Sequence, residues 1–183
     1  MDKTFGDVGT ALFWCYLALR QAERVRESFD EFLAAGPAGQ EADRLDFLYW
    51  GDAHFLMAAT HHMNEALERL PSGQKLPKRL RAEIAVMRHT IEHWDDQSAR
   101  TGRWQTLADE HGEHATPWLV VGMDNDIEIG PAHISLDGLE RLLEPIRDEL
   151  LEIYPGMPRA IQSDAVDRAV AGIWAEQLGL NNG

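Results

Sequence analysis

Residues 77–96 read PKRLRAEIAVMRHTIEHWDD, and the apolar spacing of this segment points to a helical fold. The apolar residues recur at alternating intervals of four and three, which is the pattern of a helix that packs one narrow face against its neighbours. Pro77 suits the first turn, because a proline nitrogen leaves no N–H group unbonded there. We therefore predict a helix that begins at Pro77 and ends near residues 99–102. Its inward stripe consists of Leu80, Ile84, Met87, Ile91 and Trp94.

Helical spacing of apolar residues also precedes this segment. Residues 7–35 and 41–70 are predicted to form two long helices, which end at Gly36-Pro37 and Pro71-Ser72-Gly73. The middle of the first helix, residues 20–28, is mostly charged, and we expect it to face water.

Two further helices are predicted towards the C-terminus. Ser135 suits the N-cap of a helix that reaches Ile153, with Pro145 as the expected site of a kink. The residues expected to face inward are Leu136, Leu139, Leu143, Ile146 and Leu150. Residues 159–178 form a last amphipathic pattern, which predicts either a fifth bundle helix or a dimerisation element.

A small β-hairpin is predicted between the third and fourth helices. Residues 118–121 and 127–129 are rich in strand-forming side chains and flank the turn residues Asp124-Asn125, which places the hairpin at about 117–130. The fold prediction is therefore a mainly α, up-and-down helical bundle of four to five helices with a small β-hairpin inserted before the fourth helix. Residues 1–155 make the bundle domain, and residues 156–183 carry the C-terminal amphipathic helix.

Composition excludes several classes of protein. The 183 residues include 17 Lys and Arg against 31 Asp and Glu, a net charge of −14, which excludes a generally basic nucleic-acid coat. The single cysteine, Cys15, excludes an intramolecular disulfide and a thiolate zinc site and indicates the reducing cytoplasm. The apolar run 11–19 is too short to span a bilayer, so no membrane association is expected.

One segment departs from this acidic character. Between Arg69 and Arg88 there are six basic residues and one acidic residue, a local charge of +5 that leaves −19 for the remainder. A helix N-terminus already favours anions, so basic residues there suit a phosphate. The same cations also suit structural ion pairs with acids such as Glu65 and Glu68. The candidate phosphate-binding or RNA-binding residues are Lys75, Lys78, Arg79 and Arg81.

The third helix also carries the residues best suited to chemistry. On a helical wheel, His89 and His93 lie opposite the apolar stripe and Arg88 lies at its edge, so these side chains face water or a second protein surface. A solvated helix face with an Arg88–Glu92 ion pair is the simplest interpretation.

Arg88-His89 followed by His93 resembles the Arg-x4–6-His motif of HEPN domains. The resemblance covers this helix and the helix-rich context, whereas the hairpin and the last helix depart from the minimal HEPN pattern. It implies an all-helical, metal-independent ribonuclease of the defence or toxin–antitoxin type, without a cofactor, whose motifs meet across a homodimer cleft. His93 would then be the general base or acid and Arg88 the phosphate-binding cation. His89, Glu92 and Asp95 would be supporting residues for His93 and Arg88. RNA would be the substrate, and an antitoxin or another protein would be a partner.

Two other functions remain open on the sequence alone. His89 and His93 are four residues apart, and His61 and Glu65 repeat that spacing on the second helix, so a metal site between helices is conceivable and DinB-like metal-binding bundles are the nearest analogy. The third option is a non-catalytic helical interaction protein. His62 and His133 are expected to be ordinary surface or loop histidines.

Overall fold

The computed structural model describes residues 3–36, 40–72, 75–92, 119–122 and 126–153, together with Gln105 and Ala108. Within these ranges the protein is mainly helical, with a small antiparallel sheet before the fourth helix, and this confirms the predicted fold class. The predicted helix at 159–178 and the end of the third helix near 99–102 lie outside the described residues. The elements are α1 (Lys3–Ala35), α2 (Gln40–Glu68), α3 (Lys78–Glu92), β1 (Leu119–Gly122), β2 (Asp126–Ile129), β3 (Ala132–Ser135) and α4 (Leu136–Ile153).

Helices α1 and α2 form an antiparallel pair. Trp14 near the start of α1 stacks on His62 towards the end of α2, at 4.8 Å between ring centroids. Further along α1, Arg24 donates to Asp52 at 3.1 Å. Because Asp52 precedes His62 in α2, the two helices run in opposite directions. Small buried residues such as Ala18 and Ala53 let the two helices lie close together.

The charged middle of α1 faces water only in part, contrary to expectation: Glu23 and Glu27 are exposed, whereas other residues of this stretch are buried. Ala22 and Val25 are fully buried, because they continue the apolar stripe at helical spacing through the charged residues.

Two basic side chains of this stretch lie against acids of other helices: Arg24 contacts Asp52 of α2, and Arg26 contacts acids of α4. Arg26 donates to Asp137 at 2.7 Å and to Glu140 at 2.9 Å, so it connects α1 to the start of α4.

Helix α4 packs against α1 through the stripe that the sequence predicts. Pro145 lies on the exposed side, and α4 continues past it to Ile153. The inward residues are all buried: Leu136, Leu139, Leu143, Ile146 and Leu150.

Helix α3 packs on α2 and on the sheet. Ile84 and Met87 are buried, as the stripe predicts, and Leu80 and Ile91 are partly buried against the same core. Two polar contacts fix the connection between α2 and α3: Leu76 donates its backbone N–H to Asn64 at 3.2 Å, and Arg81 reaches Glu68 at 3.4 Å.

The sheet has the strand order β1-β2-β3. The predicted hairpin corresponds to β1 and β2, in which Leu119 pairs with Ile129 and Gly122 with Asp126. The structure adds the strand β3, whose Ala132 pairs with Ile129 across Gly130-Pro131. Gly130 has φ 59°, which suits the first central position of a type II′ turn, and proline fits the second.

The sheet leads directly into α4. The Ser135 hydroxyl accepts a hydrogen bond from the backbone N–H of Gly138 at 3.3 Å, so the predicted N-cap is present although Ser135 also ends a strand. Ile127, Ile129 and Ile134 are buried against the helices. Among the described helices, none is both long and apolar enough to cross a membrane.

Candidate functional site

The start of the Arg88–His93 motif lies at the boundary between core and solvent. Arg88 is half-buried, and the next residue, His89, is exposed. Behind them, Met87 is fully buried and Thr90 donates its hydroxyl to the Val86 carbonyl at 2.8 Å. The backbone that carries Arg88 and His89 is therefore held by packing on its inner side.

The other half of the motif lies beyond the described part of the chain. His93 and Asp95 are outside the described residues, as is the side chain of Glu92. The helical-wheel prediction holds for the residues that are described, since His89 is exposed while Ile84 and Met87 are buried.

The candidate phosphate-binding residues divide into two groups. Arg81 donates from Nε to the Leu76 carbonyl at 3.0 Å and lies 3.4 Å from Glu68, so it fixes the connection between α2 and α3. Lys75 lies 3.9 Å from the same carboxylate. The ion pairs with Glu68 that the sequence suggests as an alternative are thus present for these two residues.

The other two candidates lie in the first turn of α3. Lys78 is exposed. Arg79 donates from Nε to Glu83 at 2.8 Å, yet its side chain is 66% exposed while that of Glu83 is 4% exposed. Arg79 therefore serves as the counter-ion of a buried acid and still presents its guanidinium to solvent.

The residues of the alternative metal site that lie on α2 contact one another. On α2, Glu65 lies 3.6 Å from His61 and 3.1 Å from His62, and the His62 hydrogen bond lowers the pKa of this carboxyl. In the described part of the chain, no three His, Cys, Asp or Glu side chains are arranged to hold a metal ion. His93, the fourth residue of the metal-site hypothesis, lies outside the described residues, so that site stays a prediction.

A second feature, which sequence reasoning missed, is an open groove of ≈ 290 Å³ between α3, β3 and the start of α4. His133 is one of its lining residues and is held by Asp126, with Nε2 2.8 Å from Oδ2. The signal was present in the sequence: Gly130-Pro131 marks a turn, and His133 and Ser135 two residues apart fall on one side of the following strand. The lining residues are Pro77, Arg79, Leu80, Glu83, His133, Ile134, Ser135, Gly138 and Leu139.

Comparison with known proteins does not assign the chain to a family. No family model matches it, and neither curated proteins nor solved structures give a match.

Proposed function

We propose that this protein is a HEPN-like, metal-independent RNA endonuclease in which His93 and Arg88 act on the scissile phosphodiester. The observation that carries the proposal is the position of Arg88, half-buried on a packed helix beside the exposed His89. A cation at this boundary is carried on a backbone that the core holds in place and is partly exposed to a substrate, which suits the stabilisation of a charged transition state.

The chemistry follows from the two residue types. A neutral imidazole, with an ordinary pKa of about 6.5, accepts the proton of the 2′-hydroxyl near neutral pH. The 2′-oxygen then forms a bond to phosphorus while the bond from phosphorus to the 5′-oxygen breaks, and a proton goes to that leaving oxygen. The guanidinium of Arg88 offers a planar fork of donors to the phosphate oxygens as negative charge accumulates on them.

The first turn of α3 supplies the route by which RNA reaches this site. Lys78 is exposed and precedes Arg88 by ten residues, which corresponds to about 15 Å along a helix. Lys78 and Arg79 would contact the phosphates of the strand, whereas Arg81 would act mainly by holding α3 against α2. Binding through few cations on an acidic protein should be weak, and because few counterions are released, its dependence on salt should be modest.

The proposal includes a homodimer, in which Arg88 and His93 of two copies share one cleft. The proposal also includes a cytoplasmic location, where a single thiol such as Cys15 stays reduced. An antitoxin or another protein would be a further partner. The segment 156–183 would supply the dimerisation element.

The test is cleavage of a labelled single-stranded RNA in buffer that contains EDTA. We expect His93→Ala and Arg88→Ala to lower the rate at least 100-fold, the scale of a lost general base or phosphate-binding group. His62→Ala on α2 and Arg141→Ala on the exposed side of α4 are the matched controls and should cleave at the wild-type rate. Unchanged cleavage by both motif variants would overturn the assignment of roles. A wild-type protein that cleaves no RNA but forms oligomers would favour the interaction-protein function.

A further inference from the structure

The groove between α3, β3 and α4 has the size and lining of a site for one small planar group. Its volume of ≈ 290 Å³ lies just below the range for sites of drug-sized molecules, about 300–1,000 Å³. Most of the lining is apolar and comes from rigid elements: Pro77 and Leu80 of the α3 end, Ile134 of β3, and Leu139 of α4. Apolar walls of this kind favour a ligand with a planar ring over a ligand that carries many hydroxyl groups.

The polar groups of the groove are few and are held in place. The Glu83 carboxylate is buried and fixed by Arg79 at 2.8 Å, so it is an acceptor that cannot swing into solvent. The His133 ring is fixed by Asp126 at 2.8 Å, and the Ser135 hydroxyl lies two residues further along the same strand. A fixed carboxylate accepts from the amino groups of nucleobases, and histidine rings stack on unpaired bases.

We propose that this groove binds one base of the RNA substrate, with a preference for a base that carries an exocyclic amino group. The inference rests on the proposed nuclease function for its substrate, because the groove and the Arg88 site share α3. Arg79 precedes Arg88 by nine residues, or about 13.5 Å along the helix axis, so the bound base belongs to a nucleotide outside the scissile linkage. The groove would thus set where along a strand the enzyme cleaves.

Binding is tested with mononucleotide pairs that differ in one amino group: CMP against UMP, AMP against IMP, and GMP against IMP. The protein is the full-length wild-type chain, because a mononucleotide contains no internucleotide linkage to cleave, and the readout is the shift of backbone amide NMR signals during titration. We expect one amino-bearing nucleotide to bind about tenfold more tightly than its partner, the discrimination of one good base contact. Shifts should centre on Leu80, Ile134 and Leu139. Equal affinity within all three pairs, or no shifts at the groove, would overturn the proposal.

Variants separate recognition from simple loss of folding. Glu83→Gln should remove the preference for the amino group, and Glu128→Gln, an exposed acid on β2, should leave it intact. Because Glu83 is buried, Leu80→Trp serves as a second variant that fills the groove and should abolish binding of every nucleotide. His133→Phe should retain binding while His133→Ala loses it, since only the former keeps a ring. Undiminished binding by folded Leu80→Trp would contradict the site.

The two proposals fail in different ways. If the wild-type protein cleaves RNA and Leu80→Trp changes neither nucleotide binding nor the positions of cleavage, the groove inference is wrong and the nuclease proposal stands. If nucleotides bind as expected but no RNA is cleaved, the nuclease proposal is wrong and the groove stands as a nucleotide site.

Discussion

The thiol of Cys15 illustrates how the surroundings of a single side chain decide its chemistry. Burial raises the pKa of this thiol to about 12, and the nearby Arg147 only partly opposes that rise. The thiol also donates to the Leu143 carbonyl at 3.4 Å, which links α1 to α4. The apolar run 11–19, in which Cys15 lies, agrees with this buried environment.

Cys15 should therefore resist alkylation in the folded protein. With a pKa of about 12, roughly one thiol in 10,000 is ionised at pH 8, and only the thiolate reacts quickly. We expect iodoacetamide to modify the native chain at least about 1,000-fold more slowly than the urea-unfolded chain, as measured by mass spectrometry. The control is Glu128→Cys in a Cys15→Ala background, which should react at an ordinary rate. Equal rates for Cys15 before and after unfolding would contradict the buried placement.

At the scale of elements, Arg26 fastens α1 to the first turns of α4. Its side chain is 23% exposed and contacts both Asp137 and Glu140, the latter with two of its nitrogens. A guanidinium shared by two carboxylates is better defined than a single surface ion pair, although Asp137 is 58% exposed and its contribution is screened by solvent.

Arg26→Ala should lower the free energy of unfolding by about 1–2 kcal/mol, because it leaves two carboxylates close together without their cation. Urea denaturation followed by circular dichroism measures the change. Arg141→Ala is the matched control, since Arg141 is exposed and, within the described residues, donates to the Asp137 carbonyl of its own helix. It should change stability by less than about 0.5 kcal/mol. If the two variants unfold at the same urea concentration, the Arg26 contacts contribute nothing to the packing of α1 on α4.

Most of the elements could be predicted because their apolar residues follow a regular period. The stripe of α4 is the clearest case, since every predicted inward residue is buried. The strand β3 was missed because it has four residues and its last, Ser135, also caps α4. A local sequence pattern assigns Ser135 to a strand or to a helix cap, but not to both. The strand β3 forms because its backbone pairs with β2, and that pairing is tertiary.

The candidate site was predictable only in part, for a related reason. The exposed face of α3 follows from its helical period, so the positions of Arg88 and His89 could be predicted. The partners of Arg81 and Arg26 could not, because Glu68, Asp137 and Glu140 reach them through tertiary packing. The groove depends on three elements at once: the spacing of His133 and Ser135 places them on one side of a strand, but it does not show that α3 and α4 lie beside that strand.

At the scale of the whole molecule, the proposed nuclease function requires RNA to approach a protein whose charge is mostly negative. The chain carries −14, and the basic segment that leads to Arg88 is the exception to it. Contacts of Lys75 and Arg81 with Glu68, and of Arg79 with Glu83, neutralise part of that segment. We therefore expect contact with RNA to be confined to one side of α3, next to Arg88 and the groove.

The central claim is that His93 and Arg88 cleave RNA through its 2′-hydroxyl, and a substrate with one missing oxygen tests it most directly. Two RNA oligonucleotides would be compared in EDTA, identical except for a 2′-deoxynucleotide on the 5′ side of the mapped cleavage site. The account predicts that the all-RNA strand yields a 2′,3′-cyclic phosphate and a 5′-hydroxyl, and that the substituted strand is not cut at that linkage. Cleavage of the deoxy-substituted linkage, or an absolute requirement for a divalent metal, would contradict it.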